Sequence, residues 1–193
     1  NILAPKDFKE LEDMLEFAVN LKKPVVIRYP RGGEDKYRFE SCKQVKEGKA
    51  EILQEGKDLT IIAIGKTVAR AMKVAEEIEK NEFEDNQLSV QVINARFLKP
   101  LDKETIKESI TKTKNVITIE DGTIINGLGT AVKELIVDEK LENINLKTYA
   151  YPDKFIEHGS VDELEKRYKL DEETIVKDFL NHYKKDIAKA LQK

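Results

Sequence analysis

Few residues in this chain have a type and spacing suited to chemistry, and the most suggestive are two arginines. In PVVIRYPRGGE, from Pro24 to Glu34, an apolar strand-like run ends in Arg28 and Arg31, which bracket a tyrosine and a proline and precede paired glycines. Forked guanidinium donors match phosphate oxygens, and ligands collect at strand ends in α/β folds. A solvated strand terminus followed by a turn has the same composition. The residues alone leave phosphate site and turn balanced.

The remaining candidates each have a structural reading that outweighs the chemical one. In EDGTIINGLGTAVKEL, Gly127 and Gly129 supply the G-x-G of a dinucleotide fingerprint, but Val132 stands at the third glycine position and the turn comes late in the chain. Those glycines read better as places where backbone approaches a neighbouring helix or subunit closely. Glu120 and Asp121 are adjacent on a strand end, so they point to opposite faces and do not converge as an acid and base. His158, in FIEHGS, precedes a helix whose capping box is Ser160 with Glu163, and it reads as a loop histidine bonded to backbone. Cys42 has no histidine partner nearby and reads as a bystander thiol. Lys99 is restricted to extended angles by Pro100, which accounts for its turn. No catalytic residue is assigned.

Composition removes several function classes. The 193 residues carry 34 basic and 37 acidic side chains, net charge -3, with the signs interleaved and no tryptophan. Neither an extended basic footprint nor a stacking platform for nucleic acid is present in that pattern. One cysteine permits no intramolecular disulfide and fits a reducing cytoplasm. His158 and His182 lack partners at ligand spacing, so no metal site is assigned. No apolar run has the length of a membrane span, and no signal peptide is visible. Because the chain begins with Asn1 rather than Met, it is expected to be a piece of something longer.

The elements that must position these residues alternate. Phe8, Leu11, Met14, Leu15, Ala18 and Val19 recur at helical spacing with Asp7 as cap, predicting a helix from Lys6 to Leu21. A short strand from Pro24 to Ile27 and the YPRGGED loop follow, then connection and edge-strand material to about Ile52. A domain boundary is placed near residue 40, dividing 1–40 from 41–193. Beyond it, strands are predicted at Leu59–Gly65, Leu88–Ala95, Asn115–Glu120 and Leu146–Tyr151. RFLKPLD is read as a break in the chain. Helices are predicted at Val68–Glu79, from Asp102, at Asn126–Val137, Val161–Tyr168 and Asp171–Leu191. This alternation predicts an α/β fold, a mostly parallel doubly wound sheet with flanking helices.

Five segments, APKDFKELEDMLEFAV, PVVIRYPRG, NARFLKPLD, EDGTIINGLGTAVKEL and PDKFIEHGSVDELEKRYKLD, together resemble the 1-deoxy-D-xylulose-5-phosphate synthase family of transketolase-like enzymes, in order and over nearly the whole chain. The resemblance implies an enzyme that condenses pyruvate, with loss of CO2, with glyceraldehyde 3-phosphate, serving isoprenoid, thiamin and pyridoxal synthesis. It further implies thiamin diphosphate and Mg2+ as cofactors of the full-length enzyme. Residues 1–40 would end a pyrimidine-binding domain and 41–193 would form the transketolase C-terminal-like domain. The family's metal motif, cofactor histidines and activating glutamate have no counterpart here. The fragment is therefore expected to bind no cofactor, to be inactive alone and to support a homodimer, with the INGLGT helix start as a contact surface. Arg28 takes the position that holds the acceptor phosphate in the family, and Arg31 would either join it, pair with a carboxylate or brace the loop. The missing N-terminal part of the same enzyme is the expected partner. A free-standing binding module, or the C-terminal half-chain of a split transketolase-like enzyme, are the alternatives.

Overall fold

Two apolar-rich runs, around Ile61 and Val92, have the composition of strands covered on both faces. In the computed structural model they lie side by side at the centre of a five-stranded sheet. The structure describes residues 1–33, 35–39, 43–83 and 86–190. Its elements in chain order are β1 (Ile2–Leu3), α1 (Phe8–Leu21), β2 (Val26–Ile27), β3 (Glu51–Gln54), β4 (Leu59–Ala63), α2 (Thr67–Glu79), β5 (Glu82–Phe83), β6 (Asn86–Gln87), β7 (Val90–Asn94) and β8 (Phe97–Lys99). There follow α3 (Lys103–Thr113), β9 (Asn115–Thr123), α4 (Leu128–Asp138), β10 (Asn145–Tyr151), α5 (Val161–Arg167) and α6 (Glu172–Ala190).

The large sheet has the order β10-β9-β4-β7-β3. Its first four strands are mutually parallel and β3 runs antiparallel along one edge. One face is covered by α2 and α6 through Val68, Met72, Ile175 and Phe179, the other by α3 and α4 through Ile106, Ile110, Leu128 and Val132. The expected doubly wound fold is the observed one. Cys42, Glu34, Leu191 and the boundary near residue 40 lie at or beside positions outside the described residues.

Two features differ from the sequence reading. The first is β1, only two residues long, which pairs parallel with β2 and antiparallel with β8 in a separate three-stranded sheet. The second is RFLKPLD, which does more than break the chain. Arg96 takes a left-handed conformation (φ 57°), and Phe97–Lys99 then form β8. The turn is therefore made at the first residue of that segment, four residues before Pro100.

That left-handed arginine is held by charge. Arg96 is 2% exposed, and its Nε donates to Glu10 Oε1 at 2.6 Å while its terminal nitrogen donates to Glu51 Oε2 and the Lys43 carbonyl, each at 2.8 Å. Glu10 also accepts from the Lys6 amide at 2.7 Å and from the Asn94 side chain at 2.9 Å, and Glu51 from the Lys43 amide at 2.9 Å. Buried charges persist only when paired and bonded in this way. The pairs tie α1 to β3 and to the end of β7, and the Ala4 amide donates to the Arg96 carbonyl at 3.0 Å.

Removing one partner of a buried ion pair leaves the other charge uncompensated, at a cost of about 3–5 kcal/mol. Arg96→Ala is expected to lower stability by that amount in urea unfolding. A loss under about 1 kcal/mol, the value of an exposed pair, would show that these pairs do not hold the first helix.

Candidate functional site

The polypeptide winds outward from β4 in both directions. The crossover from β4 leads to β7 on one side, and the one from β7 leads back past β4 to β9 on the other. The crevice at the carboxyl ends of β4 and β9 is thus the topological switch point, where open α/β sheets take their ligands. Here it is filled largely by the chain itself. Gly65, just past β4, has φ +66°, and a Cβ there would sit 3.2 Å from the Ala4 Cβ. Lys66 Nζ reaches the Asp121 carboxylate at 3.1 Å and Glu165 at 4.0 Å, and Glu165 pairs in turn with Arg70. Tyr151, on the neighbouring strand, has its phenol pushed up by burial and by the carboxylates of Glu165 and Asp121.

Arg28 enters this crevice from the small sheet. Its amide donates to the Leu3 carbonyl at 2.8 Å, extending the β1–β2 pairing by a residue, and its guanidinium donates one bond, 3.1 Å, to the Asp121 carbonyl. A Cβ on Gly122 would lie 3.6 Å from that guanidinium. The residue is exposed. A guanidinium anchored by one bond has further donors of the kind that match carboxylate or phosphate oxygens.

Arg31 is not brought to the same place by any bond among the described residues. It is exposed in a loop whose Gly32 and Gly33 have nothing within 4 Å of where a Cβ would stand. His158 is exposed between β10 and α5 and makes no hydrogen bond among the described residues, contrary to the expected backbone bond. The capping box that follows it is present, with Ser160 Oγ accepting from the Glu163 amide and Glu163 accepting from the Ser160 amide.

Glu120 and Asp121 diverge, as their adjacency requires. Asp121 faces Lys66, whereas Glu120 is buried and its two oxygens accept from the amides of Leu128 and Gly129 at 2.9 and 3.0 Å. A buried carboxylate therefore occupies the start of α4, where a dinucleotide site would have placed a phosphate. Its presence also explains the glycines. A Cβ on Gly127 would stand 2.2 Å from a Glu120 oxygen, and one on Gly129 would stand 2.3 Å from the Thr148 methyl. The close approach is real, and it is made within the chain. Among the described residues, no three His, Cys, Asp or Glu side chains gather as a metal site, and no helix is long and apolar enough to cross a membrane.

Sequence reasoning missed Glu120 as a cap, Lys66 as the partner of Asp121, and the whole Arg96 cluster. The signal for the first was present in the glycine spacing, since a helix start that forbids a Cβ implies a side chain already there.

Comparison with known proteins gives the arrangement relatives. The sequence model of the transketolase C-terminal domain family matches residues 48–175. A 1-deoxy-D-xylulose-5-phosphate synthase from Caldanaerobacter subterraneus subsp. tengcongensis is 39% identical over 183 residues, covering 95% of this chain and 28% of its own length. Another, from Desulfotalea psychrophila, is 44% identical over 162 residues, covering 82% and 24%. The chain thus spans between 24% and 29% of the length of these curated relatives. A solved split gene transketolase, described as an inactive beta4 tetramer, superposes with a TM-score of 0.80 at 29% identity, covering 91% of this chain and 55% of that one.

The coupling of Glu120 to Gly127 can be measured. Glu120→Ala, which strands two buried amides, is expected to cost about 1–3 kcal/mol. Gly127→Ala should cost a similar amount by displacing the carboxylate, and the double variant should cost about 1 kcal/mol less than the sum because the new methyl enters vacated space. Additive losses in thermal unfolding would exclude the contact as the reason for the glycine.

Proposed function

The chain belongs to the transketolase C-terminal domain family, and from that premise we propose that it is the C-terminal part of a 1-deoxy-D-xylulose-5-phosphate synthase. The observation that carries the reading is the extent of the likeness. The family model begins at residue 48, yet the synthase match covers 95% of the chain and so includes the segment around Arg28. In this reading the whole enzyme joins pyruvate, with loss of CO2, to glyceraldehyde 3-phosphate in the cytoplasm, acts as a homodimer, and uses thiamin diphosphate with Mg2+. Residues 1–40 end its pyrimidine-binding domain, and 41–193 are its C-terminal domain.

The residues described do not fit the cofactor. The start of α4 is filled by Glu120, and the donor clusters a magnesium diphosphate would need are not assembled. In this reading decarboxylation and carbon–carbon bond formation are assigned to the preceding part of the enzyme. This chain's contribution is to hold Arg28 at the acceptor end of the site, one donor fixed on the Asp121 carbonyl and the others directed to the phosphate of the aldehyde. Arg31, three residues on, is assigned to the same phosphate or to the loop that carries it. The split gene neighbour favours a second form of the reading, in which the cofactor-bearing half is a separate polypeptide.

A charge-assisted hydrogen bond contributes about 1.5–3 kcal/mol, so Arg28→Ala in the full-length enzyme is expected to lower kcat/KM for glyceraldehyde 3-phosphate about ten- to a hundredfold. Use of unphosphorylated glyceraldehyde should be unchanged. Equal losses for both aldehydes would rule out the phosphate role. Isothermal titration of the isolated chain with thiamin diphosphate and Mg2+ should give no specific heat; a saturable 1:1 isotherm would overturn the assignment of the cofactor to another part.

A further inference from the structure

The carbonyl that anchors Arg28 lies where the ladder of the large sheet is interrupted. Ile119 stands opposite Tyr149 and Thr123 opposite Tyr151, so Glu120, Asp121 and Gly122 of β9 together face only Ala150 of β10. On the other side, β4 ends with Ala63 opposite Ile119. The three residues therefore form a bulge with no register partner in either neighbouring strand, a device that re-aims groups beside functional crevices. No ladder sets the direction of the Asp121 carbonyl, and Gly122, across the same peptide bond, restricts it least of any residue. Side chains hold the bulge instead. Just before it, the Thr67 hydroxyl donates to the Ile119 carbonyl at 2.9 Å; just after it, the Ile124 amide donates to the Tyr151 carbonyl at 2.7 Å. Within it, Glu120 is buried against the start of α4, and the Asp121 carboxylate meets Lys66 Nζ at 3.1 Å. Lys66 stands immediately before α2, so Lys66 and Thr67 grip the end of β9 from one helix start.

We propose that Lys66 is a positioning residue for Arg28: its ion pair with Asp121 sets the β9 bulge in the arrangement that turns the Asp121 carbonyl toward the guanidinium. The inference rests on the reading of Arg28 as the group that holds the acceptor phosphate. Asp121 is the joint, since its carboxylate takes Lys66 and its carbonyl takes Arg28 at 3.1 Å. The Lys66 ammonium itself lies between two carboxylates, Asp121 and, at 4.0 Å, Glu165, so its charge is answered within the chain and it acts through Asp121 rather than on the ligand. Preference for a phosphorylated aldehyde is then set along a path from the start of α2, through the bulge of β9, to the end of β2.

One measurement is made on this chain, by NMR of the Asp121 carbonyl carbon, whose resonance moves when Arg28→Ala removes the hydrogen bond to it. Lys66→Met, which keeps the side-chain length and removes the charge, is expected to move that resonance in the same direction. Lys66→Arg should leave it near its original place, and Lys66→Met should add little once Arg28 is alanine. The other measurement uses the full-length enzyme. There Lys66→Met should raise KM for glyceraldehyde 3-phosphate about threefold to fivefold with kcat unchanged, in keeping with a half-exposed ion pair. Use of unphosphorylated glyceraldehyde should stay as before, Lys66→Arg should restore the KM, and Lys66→Met with Arg28→Ala should lose no more than Arg28→Ala alone. Additive losses would show Lys66 acting on the ligand directly and would overturn the proposal. So would a carbonyl resonance that ignores Lys66→Met, an unchanged KM where Arg28→Ala raises it, or equal losses for both aldehydes. If the resonances are coupled but Arg28→Ala leaves the preference for the phosphorylated aldehyde intact, the acceptor reading fails and the hold of Lys66 on Arg28 stands.

Discussion

The guanidinium of Arg96, sealed between Glu10 and Glu51, is the interaction on which the placement of everything before residue 48 depends. A left-handed backbone at a bulky residue is unfavourable and persists only where its surroundings over-determine it. Here two carboxylates and two backbone carbonyls do so, and the consequence is directional. Because Arg96 leaves β7 in that conformation, Phe97–Lys99 turn back as β8 instead of running on to α3. Only then does β1 have a strand to join. Through β1 the β2 strand is set, and through β2 so is Arg28.

The strength of the arrangement lies in its lack of redundancy with the large sheet. Apart from the β1–β8 pairing, the first helix meets the rest of the chain mainly through a small apolar core and this ionic cluster. A hydrophobic patch could hold α1 at several rotations with similar energy. A fork with fixed geometry selects one of them. Glu10 contributes to both ends of that selection, since it accepts the amide of Lys6 ahead of α1 and the guanidinium beyond β7.

Much of the large sheet was legible in the sequence, because buried parallel strands leave continuous apolar runs and amphipathic helices leave a 3.6-residue period. The strands β4, β7, β9 and β10, the doubly wound order and the Ser160–Glu163 box follow from such local signals. β1 did not, because two residues carry no period and their strand exists only through partners at Val26 and Phe97. The ionic cluster was hidden for the same reason: its members are 45 and 86 residues apart, and no local pattern relates them. At the candidate site, the strand end and the arginines were visible, whereas the carbonyl of Asp121 that fixes Arg28 is a backbone group and has no sequence signature. The phosphate reading came from family resemblance, not from the spacing of the residues.

The anchoring of Arg28 explains why an arginine, and not any cation, stands at the end of β2. A lysine ammonium could donate to the Asp121 carbonyl and to a ligand together, but its three donors radiate from one atom and define no plane. A guanidinium spreads its donors over a plane. One N–H on the Asp121 carbonyl fixes the orientation of that plane. Of the carboxylates near it, Asp121 is engaged by Lys66 and Glu120 by the start of α4. Two acidic side chains, Glu120 and Asp121, are thus held by structural bonds of their own beside the carbonyl that anchors the arginine.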